Sequence, residues 1–232
     1  MIMFGSGSGR RSQKDEPAHK VAVLGLGRFG SSVALELEST SVEVLGIDSR
    51  PAVINSYADQ LTSTAIADTT DPEAMTQLDL PSFDRVVVGI GSDLEASILT
   101  TSVLVDLQVE HIWAKAITRQ HGRILDRIGA HHVVLPEHDM GERVAHLVIG
   151  KMMDYIKFED DFALVKTHAP ESLLGKAFAE TRPRSAYGIT IVGLKRPGEN
   201  FTYATERTVP QRGDVLIVSG TVAQVEQFAN HA

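Results

Sequence analysis

Residues 21–48 constrain this chain more than any other stretch, because they read as strand, glycine loop, helix and second strand in unbroken succession. Val21, Ala22, Val23 and Leu24 form an apolar run, Gly25, Gly27 and Gly30 give the spacing G-x-G-x-x-G, and Val42, Val44, Leu45 and Ile47 lead to Asp48. In such a loop the first glycine permits a tight turn, the second lets backbone approach a diphosphate, and the third lets helix and strand pack closely. The helix N-terminus behind the loop adds N–H donors and positive dipole charge, so the stretch reads as a phosphate cradle. Asp48 ends the second strand at about 20 residues beyond the loop, where a carboxylate accepts hydrogen bonds from both ribose hydroxyls. Its charge disfavours a 2′-phosphate, and therefore NADP, but leaves NAD, AMP, ADP and ATP open. Arg28 bears on that choice, since a guanidinium fork inside a loop that normally offers bare backbone suits additional phosphate oxygens. A packing turn with a solvated Arg28 is the alternative.

A length of 232 residues accommodates one full domain and a small second one, and the hydrophobic fraction of 43% is ordinary for a chain with a sizeable core. The net charge of -8, with no basic stripe to offset it, argues against nucleic acid as a partner, because a duplex demands phosphate-neutralising Lys and Arg. Cysteine is absent, which excludes disulfides, thiolate metal sites and cysteine nucleophiles and suits a reducing cytoplasm. No apolar run approaches the roughly 18 residues that span a bilayer, so a soluble protein is expected.

Residues 1–19, rich in Gly, Ser and charge, are expected to form a disordered tail. Phe29, Val33 and Leu37 recur every four residues and predict one helix face. Pro51 suits the first turn of a second helix with Val53, Ile54, Tyr57 and Leu61 inward, and Asp71 with Pro72 and Glu73 reads as a capped helix start. Further strands are predicted over residues 64–67, 85–90, 111–117 and 132–135, separated by helices over 93–106 and 123–128. Six strands alternating with helices imply an α/β fold with a Rossmann-like, doubly wound parallel sheet over residues 20–137.

Ligands bind such sheets at the carboxyl ends of the strands, near the switch in strand order. That rule gathers Gly25, Gly27, Arg28, Phe29, Gly30, Asp48, Ser49, Arg50, Asp68, Thr69, Ile90, Gly91 and Lys115 into one candidate site. Asp68 reads equally as a turn former, while the ammonium of Lys115 on an apolar strand favours a phosphate or acidic partner. From residue 138 a long crossover helix is predicted to carry Val144, Leu147, Val148, Met152 and Ile156 on one side, as far as a polar break and domain boundary at Glu159, Asp160 and Asp161. Residues 160–232 read as a small α+β lobe with strands at 162–167, 188–193 and 215–219, a hairpin turn at 196–200, and a last helix capped by Thr221.

The catalytic vocabulary is missing. None of Tyr57, Tyr155, Tyr187 and Tyr203 is followed four residues later by lysine, no H-E-x-x-H or other i, i+4 histidine pair occurs, and there is neither G-x-S-x-G nor a G-K-[ST] P-loop. A nucleotide site without a reaction site points to a sensor rather than an enzyme. A small NAD-dependent reductase with unrecognised catalytic groups is the rival reading.

The chain resembles the RCK (regulator of potassium conductance) family, and within it the Ktr/Trk-type regulatory subunits of bacterial potassium uptake systems. The resemblance rests on GLGRFG at 25–30, VLGID at 44–48, IADT at 66–69, VGIG at 88–91, ASILTT at 96–101, IWAKA at 112–116, LDRIGA at 125–130 and PEHDMG at 136–141. It implies a nucleotide-binding lobe, a crossover helix and a C-terminal lobe assembled as an octameric ring beneath a membrane potassium-translocating subunit, cytoplasmic and peripheral on the inner face of the membrane. ATP and ADP would favour different ring shapes, NAD or NADH being the Trk-type alternative, and Arg28 would sense the terminal phosphate. Glu95 and Ala114 stand where relatives often differ, and Glu95 joins the candidate cofactor-binding residues. Glu137 matches a family glutamate that contributes to a Mg²⁺ or Ca²⁺ site beside ATP, with a solvated or helix-capping acid as the alternative. Related C-terminal lobes bind cyclic di-AMP, with Leu173, Leu174, Arg184, Ala186 and Tyr187 as the matching segment here. The resemblance also leaves room for a scaffold serving a channel or exporter of another ion.

Overall fold

Every residue of β1 (Lys20–Leu24) after the first is buried, because the strand lies inside a sheet and is covered on both faces. In this computed structural model, which describes residues 19–158 and 161–231, β1 pairs in parallel with β2 (Glu43–Asp48) on one side and β4 (Arg85–Val88) on the other. With β3 (Ser63–Ile66), β5 (Ile112–Lys115) and β6 (His132–Val134) the order is β3-β2-β1-β4-β5-β6, parallel throughout, as expected for a doubly wound sheet. The chain reverses direction across the sheet between β1 and β4, and the register sets Leu24 level with Ile47 and Val88. The carboxyl ends of the three central strands therefore meet at the switch point.

The alternation of side chains divides the core in two. Val21, Val23 and Val44 pack with Ala34 of α1 (Arg28–Ser39), Ile54 of α2 (Pro51–Tyr57) and Leu61. Ala22, Leu24, Leu45 and Ile47 pack on the other face with Met75 of α3 (Pro72–Gln77), Leu104 of α4 (Leu94–Asp106) and Leu125 of α5 (Arg119–Ile128). Fully burying one such aliphatic side chain stabilises by about 1.5–3 kcal/mol. Side-chain caps begin three of these helices: Asp71 accepts from the Glu73 amide, Asp93 from Ala96 and Thr118 from His121. Thr118 explains why α5 starts at Arg119 rather than at residue 123. On α1, Phe29, Val33 and Leu37 are half-buried, and Gly30, Ser31 and Ala34 are buried. Small residues face the sheet because the helix lies too close to β1 to admit larger ones.

The second compact unit begins at Glu137, not at the expected polar break, of which Glu159 and Asp160 lie outside the described residues, as does the predicted tail up to residue 18. Helix α6 (Pro136–Ile149) stops short of the predicted crossover helix, and Met152 and Ile156 lie instead in β7 (Met152–Lys157). That strand pairs antiparallel with β8 (Phe162–His168), with a register shift between Met152 and Asp154 that buries both Met152 and Tyr155. The four-residue apolar spacing thus has two origins, a helix up to Ile149 and a bulged strand after it. Strands β9 (Thr190–Lys195), β10 (Thr202–Tyr203) and β11 (Val215–Thr221) complete a sheet of order β10-β9-β11-β8-β7. Short helices α7 (Phe178–Thr181) and α8 (Pro183–Tyr187) precede β9, and α9 (Val222–Asn230) follows β11 through a capping box of Thr221 and Gln224. Phe228 and Val225 of α9 are fully buried in this lobe's core beside Leu216, Val218 and Tyr155.

Candidate nucleotide site

The loop between β1 and α1 is held by backbone on both sides. The Gly25 amide donates to the Ile47 carbonyl at 2.7 Å, and the Gly89 amide donates to the Leu24 carbonyl at 2.7 Å. Gly25 adopts φ +87, and a β-carbon there would stand 2.8 Å from Cγ1 of Ile90. At Gly30 the added atom would stand 2.0 Å from the Gly25 carbonyl oxygen, and at Gly89 it would stand 2.9 Å from the same oxygen. Gly25, Gly30 and Gly89 are therefore interlocked, and each must be glycine for the turn, the helix and β4 to meet. Gly27 differs from all three. Its φ of -72 is open to any residue, and nothing lies within 4 Å of its missing β-carbon. Protein packing gives no reason for glycine at that position, whereas close approach by a phosphate does.

Behind Gly27, α1 presents the first N–H groups of a helix, which have no intrahelical acceptor, at the positive end of its dipole. Arg28 stands exposed in this first turn, which holds no acidic residue, so it adds positive charge where the dipole is already positive. An anion resolves that unfavourable arrangement.

Asp48 is 4% exposed at the end of β2, and it is bonded both by Arg50, two residues on, and by the glycine loop. Its Oδ2 accepts from the Leu26 amide at 3.0 Å and from Nη2 of Arg50 at 2.9 Å. Its Oδ1 accepts from the Arg50 amide at 3.0 Å and from Nε of Arg50 at 2.8 Å. Burial pushes the carboxyl up, but the Arg50 side chain and amide and the Leu26 amide outweigh it and hold the group below its ordinary value. The amide of Leu26, invisible as a site element in the sequence, ties the acid directly to the glycine loop. Ser49 lies exposed between Asp48 and Arg50.

Lys115, buried at the end of β5, lies 5.4 Å from the centroid of the Phe29 ring, and its Nζ would be 3.2 Å from a β-carbon on Gly91. Phe29, Ile90, Gly91 and Lys115 are thus drawn together with the glycine loop. Asp68 behaves as a turn former, its Oδ1 accepting from the Thr70 amide at 2.9 Å and the Thr70 hydroxyl at 2.7 Å, bonds that hold its carboxyl below the ordinary value. Thr69 is buried, with its hydroxyl 2.8 Å from that of Thr100 on α4. Glu95 is exposed in the first turn of α4, and Glu137 lies in the first turn of α6, in the second unit. Among the described residues no group of three or more His, Asp or Glu gathers to hold a metal.

Gly89 and Leu26 are the positions that pattern reading left out of the site. Gly89 carried a signal, since it forms G-x-G with Gly91 at the end of an apolar strand. Nothing in the sequence distinguishes the Leu26 amide from any other.

Comparison with known proteins follows the same division of the chain. Residues 21–136 match the TrkA-N domain and residues 162–232 match the TrkA-C domain. Over 208 residues the chain is 38% identical to Ktr system potassium uptake protein C of Bacillus subtilis, covering 89% of this chain and 94% of that protein. Over 200 residues it is 32% identical to Ktr system potassium uptake protein A of Vibrio alginolyticus, covering 86% of this chain and 91% of that protein. Among solved structures it is similar to the GsuK RCK domain, with a TM-score of 0.64 at 18% identity over 94% of this chain and 49% of that one. The GsuK channel bound to NAD gives a TM-score of 0.62 at 18% identity, over 90% of this chain and 38% of that one. At that identity the likeness is one of fold.

Proposed function

The chain belongs to the TrkA-N/TrkA-C family that includes the Ktr potassium uptake proteins, and we propose that it is the nucleotide-sensing regulatory subunit of a potassium uptake system. The named relatives are potassium uptake proteins, which agrees with the missing catalytic motifs. The observation that carries the nucleotide reading is Gly27, a glycine with ordinary φ and open space, between a helix N-terminus and a buried Asp48. The cradle takes the phosphates of ATP or ADP, Asp48 takes the ribose diol, and Arg28 reaches the terminal phosphate.

Regulation then follows from differential affinity. ATP and ADP shift the subunit between two states only by the difference in their binding to each, and every tenfold difference is worth about 1.4 kcal/mol. Arg28 is suited to create that difference, because the γ-phosphate adds charge that a guanidinium fork binds bidentately. Glu137 is proposed to hold Mg²⁺ or Ca²⁺ together with the nucleotide. One carboxylate is too small a donor set for a stand-alone site, but it suits an ion whose remaining ligands are water and phosphate oxygens. Bound there, the ion offsets the repulsion between the carboxylate and the phosphates.

Assembly as an octameric ring, docked on the inner face of the membrane through a potassium-translocating subunit, completes the proposal. It is supported by apolar residues on α6 that the single chain leaves in water: Val144 at 46%, Val148 at 79% and Ile149 at 87% exposure. Among the described residues no helix is long and apolar enough to cross a membrane. The C-terminal lobe is proposed to take cyclic di-AMP near Arg184, Ala186 and Tyr187; Leu173 of that segment is buried in the lobe's own core. Titration of the full chain with ATP, ADP and NAD, by calorimetry and thermal shift, tests the nucleotide assignment. ATP and ADP are expected to bind more tightly than NAD and to raise the melting temperature, with Asp48→Ala removing most of the shift. No binding of any of the three refutes the reading, and an equal shift in Asp48→Ala refutes the ribose assignment.

A further inference from the structure

The carboxylate assigned to the ribose already has its full complement of donors. A carboxylate offers about four acceptor positions, and Asp48 fills them with the Leu26 amide, the Arg50 amide, and Nε and Nη2 of Arg50, at 2.8–3.0 Å. The two amides belong to fixed backbone. The two guanidinium bonds do not, because the Arg50 side chain is 62% exposed while its partner is 4% exposed. A ribose diol needs two acceptor positions on the same carboxylate, and only the pair held by Arg50 can be vacated without unfolding the loop. From this geometry we infer that Arg50 is an internal competitor for the ribose seat, a specificity-determining residue that a nucleotide must displace before its diol engages Asp48.

The inference rests on the nucleotide reading of the site and adds to it a direction that is otherwise unexpected. Removing a cation normally weakens the binding of an anionic ligand. Here the loss of Arg50 vacates the seat in advance, so that binding no longer exchanges one pair of charge-assisted bonds for another. The fork is bidentate but half in solvent, so its worth is that of a partly exposed ion pair, and the expected gain in affinity is about fivefold. Lysine at this position retains the charge but cannot form the parallel two-bond fork, so it competes less well. The competition is specific to the diol. A nucleotide lacking both hydroxyls does not contest the carboxylate and leaves Arg50 where it is.

The experiment is calorimetric titration of the full-length wild type, Arg50→Ala and Arg50→Lys with ATP and with 2′,3′-dideoxy-ATP. ATP is expected to bind Arg50→Ala about fivefold more tightly than wild type, with Arg50→Lys between them, while dideoxy-ATP binds all three alike. ATP binding that is unchanged or weaker in Arg50→Ala overturns the inference, as does an equal gain for both ligands, which marks a general change in the loop. A wild type that binds neither ligand overturns the nucleotide reading itself and the inference with it. Circular dichroism melting of the variants identifies any that fail to fold, and in that event Arg50→Gln, which keeps the aliphatic stem and one donor group, decides by the same criteria.

Discussion

Gly27 and Gly30 lie three residues apart in one loop, and alanine at each is expected to fail for opposite reasons. At Gly30 the new methyl group would stand 2.0 Å from the carbonyl oxygen of Gly25 and 3.1 Å from its carbonyl carbon. Both are backbone atoms, and the Gly25 amide is anchored to Ile47, so relief requires α1 to move away from β1 by roughly 1 Å. That movement opens the packing of Ala34 against Val21 and Val23. Overpacking of this kind costs about 3 kcal/mol, the upper end of the usual range. The melting midpoint of the nucleotide-binding unit is then expected to fall by roughly 10 °C. At Gly27 the added methyl meets nothing within 4 Å and φ is ordinary. The fold should lose only about 0.5–1 kcal/mol, from replacing a glycine helix cap with alanine. Nucleotide binding should suffer instead, by tenfold or more, because the methyl occupies the space through which a phosphate approaches the α1 amides. Melting by circular dichroism and titration with ATP measure the two effects separately. A Gly27→Ala protein that binds ATP like wild type refutes the cradle, and a Gly30→Ala protein with unchanged melting refutes the interlock.

Buried His121 provides a pH prediction. Its Nδ1 accepts from the Ile117 amide at 3.4 Å, its Nε2 finds no partner among the described residues, and burial pushes its pKa below the ordinary 6.5. The unfolded chain therefore binds more protons than the folded one below about pH 6.5, and the stability contributed by the neutral ring is present above that pH and lost as pH falls through the depressed folded value. Urea unfolding midpoints measured from pH 7.5 to 5 should fall, and His121→Leu should flatten that slope; a wild type insensitive over this window contradicts the assignment. On α6, the double variant Val148→Asp and Ile149→Asp should reduce the particle mass measured by light scattering without lowering the melting temperature, since both side chains are exposed in the single chain. An unchanged mass removes α6 from the assembly surface.

Local signals carried most of the nucleotide-binding unit. Glycine spacing, apolar runs that fit strands covered on both faces, and Asp71 before Pro72 each act over a few residues, so the order of elements and the position of Asp48 were legible in the sequence. The second unit was less so. Val144, Leu147, Val148, Met152 and Ile156 satisfy a helical period, yet Met152 and Ile156 pair with Thr167 and Leu164 across the β8 strand. Pairing between strands is a choice made with a partner, and periodicity within one segment does not contain it. On α1 the period marked one face, but burial depends on how closely the helix approaches β1, and the buried residues are Gly30, Ser31 and Ala34, with Leu35 and Leu37 packed half-buried against the same core.

By itself, then, the sequence determined that a glycine loop and the carboxylate of Asp48 stand at the carboxyl ends of neighbouring strands in a parallel sheet, because turn chemistry and hydrophobic patterning are properties of neighbours in the chain. Only the tertiary structure decided which glycines the packing requires and which it does not. Gly25, Gly30 and Gly89 crowd one another, while a β-carbon on Gly27 would meet nothing within 4 Å. It also decided the state of Asp48, because a carboxylate's partners depend on burial and on where the Leu26 amide and the Arg50 fork come to rest, and residues 22 positions apart meet there only after β1 and β2 have paired.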